Sequence, residues 1–246
     1  MYLVLASATD LSAFWAAQGL AARGLAPVEI VTAEALVTSP YWEHRVGNGS
    51  RTALRISLPD GRFLDASALR GALNRLTAVP AGFLQTSADR SYAHQELYAF
   101  FLSWLHTLPK PLLNPPAPQG LCGRWRPSSE WVWLAVQAGL PTAPFKQSSR
   151  EDPPRLYGEK PLFPPGSAGR TVLVTAGRTS GAPAPRDVRA GCVRLAELAG
   201  TPLLGVDFTQ GPAGPWTFAG ANPWPDLRLG GEPFLDHLAT ALREAS

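Results

Sequence analysis

The fold of this chain is decided by two neighbouring stretches, Leu203-Leu204-Gly205-Val206-Asp207-Phe208 and Thr217-Phe218-Ala219-Gly220-Ala221-Asn222-Pro223-Trp224-Pro225-Asp226-Leu227. Each begins as a short apolar run typical of a β-strand, and a turn rich in glycine and proline separates them at 211–215. Antiparallel pairing would bring Asp207, at the end of the first strand, close to Asn222, at the end of the second. Side-chain oxygens are the ligands that Mg²⁺ prefers, so this pairing predicts a metal site facing a nucleotide phosphate.

A third candidate ligand, Asp226, lies four residues beyond Asn222. Its carboxylate would add a second negative charge to the site, which a cation bound against phosphate requires. The other interpretation of Asp226 is an ordinary turn or helix-capping residue. Both interpretations remain open at the level of the sequence.

The composition is that of a globular protein of 246 residues, 45% apolar and 17% charged, which is enough for one large domain or two modest ones. No apolar run approaches membrane-spanning length, and the start reads as a first β-strand without the basic region of a signal peptide. We therefore expect a cytoplasmic protein without a membrane partner, in which Cys122 and Cys192 are unpaired, reduced thiols. The net charge is only +3 and the arginines are scattered singly, which disfavours nucleic acid as a partner.

The first 37 residues predict a strand, a helix and a second strand. Tyr2–Ala6 is an apolar run, Asp10 is a suitable helix cap, and 28–31 forms the next short strand. This order implies parallel strands joined by a right-handed crossover. The loop after the first strand lacks the glycines of a dinucleotide-binding turn, so we expect no dinucleotide there.

The middle of the chain carries stronger helical and turn signals. A hairpin is predicted at 52–64 around Pro59-Asp60-Gly61, and a short helix at 66–78. An amphipathic helix is predicted at 89–108, because its apolar residues recur at helical spacing on one face: Leu97, Phe101, Trp104 and Leu108. A short strand ended by two prolines follows at 110–116.

A proline-rich region from 109 to 165 marks the boundary between two units, which we place at 1–117 and 118–246. Within this region, a helix is predicted at 128–138 with Ser128 as its cap, and 144–170 is predicted to be a long irregular excursion. The second unit continues with a strand, a helix, the two strands quoted above and a final helix, at 171–175, 187–199, 203–208, 217–222 and 232–244.

Several segments, in this order, resemble the ATP-grasp superfamily, in particular RimK-like carboxylate–amine ligase relatives. The two opening stretches are similar to the closing metal strands of that family, in which "gvD" is followed by "EvNp.P". Residues 89–115 resemble its "dR…E…wl…pvlN.p" passage, 131–141 the helix that opens the grasp module, and 172–178 the "vvgg.v" strand. The resemblance covers most of the chain. It implies an α/β fold, with an N-terminal Rossmann-like pre-ATP-grasp βαβ unit followed by a truncated ATP-grasp-like α+β module.

Two departures from the family pattern bear on activity. Gly220 stands where the family has its metal-bridging Glu, and 142–170 contains no glycine-rich loop whose backbone amides would cradle phosphates. The resemblance therefore implies a shortened, degenerate member in which ATP and Mg²⁺ bind weakly. Its cofactor-binding residues would be Lys146, Lys160 and Arg178.

Arg75 and Arg90 are the candidate substrate-binding residues, because a guanidinium binds a carboxylate in a bidentate manner. The ligand would be a small-molecule or peptide carboxylate, and the alternative is that these arginines form local ion pairs. The apolar surface exposed by the missing lobe, near Trp216 and Trp224, predicts a homodimer or a heteromeric protein partner.

The sequence leaves three functions to be distinguished. The favoured one is a ligase-like pseudoenzyme with weak or no activity of its own, serving as an accessory or binding subunit in peptide or metabolite biosynthesis. The second is an active ATP- and Mg²⁺-dependent carboxylate–amine ligase that uses Asp207, Asn222 and Asp226 for the metal. The third is a pure protein-interaction module.

Overall fold

The computed structural model describes residues 1–45, 53–80, 87–108, 111–146, 169–209 and 214–244, and the chain divides into two compact units. The first unit is Met1–Arg124 together with the chain from Leu238, and the second is Trp125–His237. Most of the predicted irregular segment 144–170 lies outside the described residues. Within the described residues, no helix is long and apolar enough to cross a membrane.

The first unit contains seven described strands and three helices: β1 (Tyr2–Ala6), α1 (Leu11–Ala22), β2 (Val28–Thr32), α2 (Ala33–Val37), β3 (Tyr41–Arg45), β4 (Ala53–Ser57), β5 (Phe63–Asp65), β6 (Gly71–Asn74), α3 (Ser87–His106) and β7 (Leu112–Leu113). Four of the strands form a parallel sheet in the order β2-β1-β6-β7. The predicted strand, helix, strand opening is confirmed, since β1 and β2 are parallel and α1 connects them.

A separate antiparallel sheet is formed by β3, β4 and β5. It confirms the predicted hairpin, because β4 and β5 flank the turn at Asp60-Gly61, and it adds β3, which the sequence did not indicate. The long helix α3 is also confirmed. Its predicted stripe packs into the core of this unit, where Phe101 and Trp104 are completely buried.

The predicted helix at 66–78 is wrong. After one 3₁₀ turn at Ala66–Ala68, the chain forms β6, a central strand whose four residues are all buried. Because all four residues are buried, their pattern in the sequence shows neither the alternation of a strand nor the spacing of a helix. Gly71 fits there because a Cβ atom would come within 3.2 Å of the ring of Pro111.

The second unit contains α4 (Ser128–Gln137), β8 (Arg170–Thr175), β9 (Arg178–Gly181), α5 (Arg186–Ala199), β10 (Leu203–Thr209), β11 (Thr217–Asn222) and α6 (Gly231–Arg243), whose end is counted with the first unit. The strands form an antiparallel sheet in the order β11-β10-β8-β9. The predicted helices and strands of this unit are confirmed. The prediction that Ser128 caps α4 is wrong, because Pro127 is the N-cap residue and no side chain caps the helix.

One face of this sheet packs against α4 and α5. Its core contains side chains from every layer, including Leu134, Cys192, Val206, Phe208 and Phe218. A β-bulge at Ala219 lies in the pairing of β10 with β11: Asp207 lies opposite Gly220, whereas Phe208 lies opposite Phe218. The extra residue lets Phe218 face the core while Gly220 and Asn222 face the other side of the sheet.

Candidate functional site

The predicted antiparallel pairing of the two closing strands is confirmed, and it brings two candidate metal ligands to one face of the sheet. Asp207 lies opposite Gly220, and Asn222 lies opposite Gly205. Directly opposite residues and every second residue of a strand share a face. Asp207 and Asn222 therefore lie diagonally on the face away from α4 and α5, next to two glycines without side chains.

The Asp207 carboxylate is half-buried, and one described residue donates a hydrogen bond to it. The Thr171 hydroxyl, opposite it on β8, donates to Asp207 Oδ1 over 2.6 Å. Burial raises the pKa of Asp207, and the Thr171 hydrogen bond opposes that rise without reversing it. No described basic side chain contributes to this shift, so this carboxylate keeps the electrostatic cost of its burial.

The side chain of Asn222 is used by its own turn. Its Nδ2 donates to the backbone carbonyl of Trp224 over 3.0 Å, and its Oδ1 accepts from the backbone amide of Trp224 over 2.8 Å. This is the arrangement by which an asparagine stabilises a turn two residues ahead. Both polar ends of the amide are therefore already engaged.

Asp226 adopts the geometry of the capping interpretation. It is the N-cap of a 3₁₀ helix at Leu227–Gly230, and its Oδ1 accepts from the backbone amide of Arg228 over 3.1 Å. The Arg228 guanidinium binds the same carboxylate, with Nη2 2.7 Å from Oδ2. The charge of Asp226 is thus offset locally.

Two of the three predicted ligands, Asn222 and Asp226, are engaged by neighbouring groups of their own chain segment. Among the described residues, no group of three or more His, Cys, Asp or Glu side chains is arranged to hold a metal ion. Two-metal phosphoryl transfer needs carboxylates that bridge the ions, and the residue opposite Asp207 is Gly220. The described residues therefore do not supply the set of carboxylates that a two-magnesium site needs.

Of the three predicted cofactor-binding residues, only Arg178 has a position relative to Asp207 that the strand pairing defines. Lys146 is exposed near the end of a described segment, and Lys160 lies outside the described residues. Arg178 is half-buried at the start of β9 and pairs with Thr175, whereas Asp207 pairs with Thr171. Four residues of β8 separate those positions by about 13 Å.

Of the predicted substrate-binding residues, Arg75 is 2% exposed and ion-paired inside the first unit. Its Nε donates to Asp10 Oδ2 over 2.7 Å, and its Nη2 donates to the Ser12 hydroxyl over 3.0 Å. The same Asp10 carboxylate caps α1 by accepting from the backbone amide of Ala13. Arg75 thus adopts the local ion-pair interpretation, whereas Arg90 is exposed on α3.

The apolar surface predicted near Trp216 and Trp224 needs correction. Trp216 is buried, with its ring centroid 5.3 Å from that of Phe208, and only Trp224 is exposed. The guanidinium of Arg170 lies over the ring of Trp216. Trp216 therefore belongs to the core of the second unit.

Sequence reasoning missed two residues that shape this face. Thr171 has no motif of its own, and only the strand register shows that it is the partner of Asp207. Pro225 lies over the sheet at Gly205, where a Cβ atom would come within 2.7 Å of Pro225 Cβ. Pro225 belongs to the stretch quoted at the start, but its place in the sequence indicated no role at this face of the sheet.

Solved structures share this fold over the whole chain. The macrocyclase MdnC from Microcystis aeruginosa MRC, bound with precursor peptide MdnA, superposes with a TM-score of 0.73 at 11% identity, covering 99% of this chain and 100% of that chain. A Chryseobacterium gregarium RiPP-associated ATP-grasp ligase, in complex with ADP and a leader and core peptide, gives 0.71 at 8% identity over 100% and 97%. The ATP-grasp ligase PsnB, complexed with a phosphomimetic precursor variant, Mg and ADP, gives 0.66 at 17% identity over 98% of each chain.

No family model matches the chain, and no curated protein matches its sequence. At these identities the likeness defines the fold. The chain therefore has the fold of the ATP-grasp superfamily, which confirms the resemblance found in its sequence.

Proposed function

We propose that this chain is a ligase-like pseudoenzyme of ATP-grasp fold, which serves as an accessory or binding subunit in a peptide-modifying pathway and has weak or no ligase activity of its own. The observation that carries the proposal is the state of the predicted metal ligands. Asn222 is engaged by Trp224 and Asp226 is neutralised by Arg228, so that Asp207 is the remaining carboxylate of the three predicted ligands. A single carboxylate without a bridging partner would hold Mg²⁺ and ATP weakly.

The peptide part of the proposal is supported by the proteins that share the fold. They were solved with precursor, leader or core peptides, and a peptide carboxylate is the ligand that the sequence suggested for this chain. The parallel sheet and crossover helix of the first unit support its assignment as a Rossmann-like pre-ATP-grasp unit. We propose that the protein is cytoplasmic, which is supported by two buried cysteines, Cys122 and Cys192, that form no disulfide with each other.

An active carboxylate–amine ligase is the second candidate, and the placement of Asp207 and Asn222 on one face of the sheet favours it. Activity would require Asn222 to leave its turn and a further anionic ligand to approach Asp207. The two candidates therefore differ in a measurable quantity, which is the affinity for Mg²⁺ and for ATP·Mg.

The test is a calorimetric titration of Mg²⁺, and of ATP with Mg²⁺, into the wild type, Asp207→Asn and a control, Asp187→Asn, which removes an exposed carboxylate from α5. We expect no saturable heat at millimolar Mg²⁺ and almost no ATP-dependent rise in melting temperature, because stabilisation scales with the logarithm of ligand saturation. Saturable binding that is lost in Asp207→Asn and kept in Asp187→Asn would overturn the pseudoenzyme and favour the ligase.

A further inference from the structure

We propose that the outer edge of β9 is a binding site for an extended, acidic peptide segment. β9 is the last strand of the sheet in the second unit, and within the described residues it pairs only with β8. The opposite edge is already partly covered, since the backbone amide of Phe218 on β11 donates to the carbonyl of Pro141 over 2.7 Å. Among the strands that the structure describes in this sheet, the outer edge of β9 is therefore the one available for strand addition.

The register identifies the backbone groups that face outward. The amide of Ala182 donates to the carbonyl of Thr171, which makes this a hydrogen-bonded pair. Such pairs alternate along an antiparallel ladder. Ser180 therefore faces β8 with its backbone groups, whereas Thr179 directs its amide and carbonyl away from β8, where an added strand could pair with them; the regular edge ends at Gly181, whose φ is +90°.

A cleft of about 430 Å³ lies along this edge. Residues 179–183 form one wall, residues 228–231 and Pro233 form another, and Arg189 enters from α5. The hydroxyl of Ser180 is buried there, and it has no hydrogen-bond partner among the described residues. An edge strand beside a cleft offers backbone hydrogen bonds to a peptide and space for its side chains.

The charged residues that line the cleft indicate which kind of peptide would bind there. Arg189 is exposed and forms no ion pair with any side chain in the described part of the chain, whereas Arg228 is neutralised by Asp226. The cleft therefore carries a net positive charge, which favours a segment that contains Glu or Asp. A second copy of this chain paired edge to edge would place two Arg189 side chains near the symmetry axis, so charge disfavours a homodimer here.

This inference does not rest on nucleotide or metal binding, so it can fail or succeed independently of the pseudoenzyme proposal. The probe is a labelled peptide of about ten residues, with capped ends and alternating valine and glutamate, long enough to pair along the whole edge. Its binding is followed by fluorescence anisotropy, without ATP or Mg²⁺. The same peptide with lysine in place of glutamate is the control ligand.

We expect saturable binding of the acidic peptide and none of the basic one. Arg189→Glu should weaken binding at least about tenfold, since it reverses a charge at the site, and Arg194→Glu, on the same helix but outside the cleft, should not. Thr179→Pro should also abolish binding while leaving the melting temperature nearly unchanged, because proline is tolerated where a strand amide faces solvent.

Three results would overturn the inference. They are absence of binding to the wild type, equal binding of the two peptides, and equal binding by Arg189→Glu or Thr179→Pro. A wild-type dimer that Thr179→Pro converts to a monomer would also overturn it, because the edge would then be occupied by a second copy.

Discussion

Asp207 is half-buried, and its hydrogen-bond donor among the described residues is the Thr171 hydroxyl. Because its pKa is raised, the contribution of this group to stability is fully present below the unfolded pKa, near 3.9, and is lost as pH rises through the folded pKa. At neutral pH the burial of this carboxylate therefore destabilises the second unit. Substitution by asparagine keeps an oxygen that can accept from Thr171 and removes the charge.

We therefore predict that Asp207→Asn raises the free energy of unfolding at pH 7, and that the gain shrinks towards zero as pH falls to about 4. Urea denaturation of both proteins across this pH range measures the difference. The exposed control Asp187→Asn should show no such gain. A loss of stability at pH 7 would indicate that a cation, rather than water, accompanies Asp207.

The pair of Asp10 and Arg75 behaves in the opposite sense. Burial alone would raise the pKa of Asp10, but the hydrogen bonds and charge of Arg75 outweigh it and hold that pKa below its ordinary value. The stability from this group is present above the unfolded pKa and is lost as pH falls through the folded one. Acidification below about pH 4 should therefore weaken the first unit.

We predict that Arg75→Met costs about 3–5 kcal/mol at pH 7, because it leaves a buried carboxylate without its cation. Adding Asp10→Asn should recover part of that loss, since asparagine still caps α1 and carries no charge. A double-mutant cycle by chemical denaturation measures the coupling between the two residues. Strictly additive effects would mean that the ion pair contributes nothing.

Single residues also show where sequence reasoning stops. The order of Asp207, Asn222 and Asp226 along the chain suggested one metal site, yet Asn222 and Asp226 each bind a backbone amide two residues ahead. Such local hydrogen bonds compete with the binding of a metal ion by the same side chains. The spacing is compatible with metal binding and with a local turn or cap, and the three-dimensional structure shows the local hydrogen bonds.

At the scale of the secondary-structure elements, the close cover of β10 by the loop after β11 yields a prediction. A Cβ atom at Gly205 would lie 2.7 Å from Pro225 Cβ, and a rigid ring cannot yield without moving its loop. Gly205→Ala should therefore cost about 1–3 kcal/mol, measured by urea denaturation. Gly169→Ala, where nothing lies within 4 Å, is the matched control and should be nearly neutral.

The elements with clear periodicity were predictable from the sequence. α3 and α5 carry apolar residues at helical spacing, and β10 and β11 are apolar runs separated by a strong turn. β6 was not predictable, because Gly71–Asn74 is buried on both faces and its identity as a strand depends on β1 and β7 beside it. Short elements of this kind are fixed by tertiary pairing rather than by local preference.

At the scale of the whole molecule, the order of weak segments identified the fold although sequence identity with MdnC is only 11%. The fold is fixed by the order and pairing of strands, whereas activity depends on a few side chains. The sequence therefore predicts the architecture, while the metal ligands proposed at Asp207, Asn222 and Asp226 stay predictions.

We further predict that the protein assembles, either with itself or with another protein, as expected for a binding subunit. Light scattering over a range of concentrations should then show a mass above the 26.3 kDa of one chain, or a second protein should copurify. With Trp216 in the core, assembly cannot use the surface first expected around that residue. A monomer at every concentration, with nothing copurifying, would contradict this prediction.

The bulge at Ala219 has a consequence for how this sheet can change by insertion or deletion. If side chains simply alternated from Asn222, Phe218 would face away from the core. The extra residue at Ala219 shifts the alternation by one, so that Phe218 faces the core. Loss of one codon at this point would force the strand either to expose Phe218 or to turn Asn222 away from Asp207. A deletion of one residue here would thus make it impossible for Phe218 to lie in the core while Asn222 lies on the same face as Asp207.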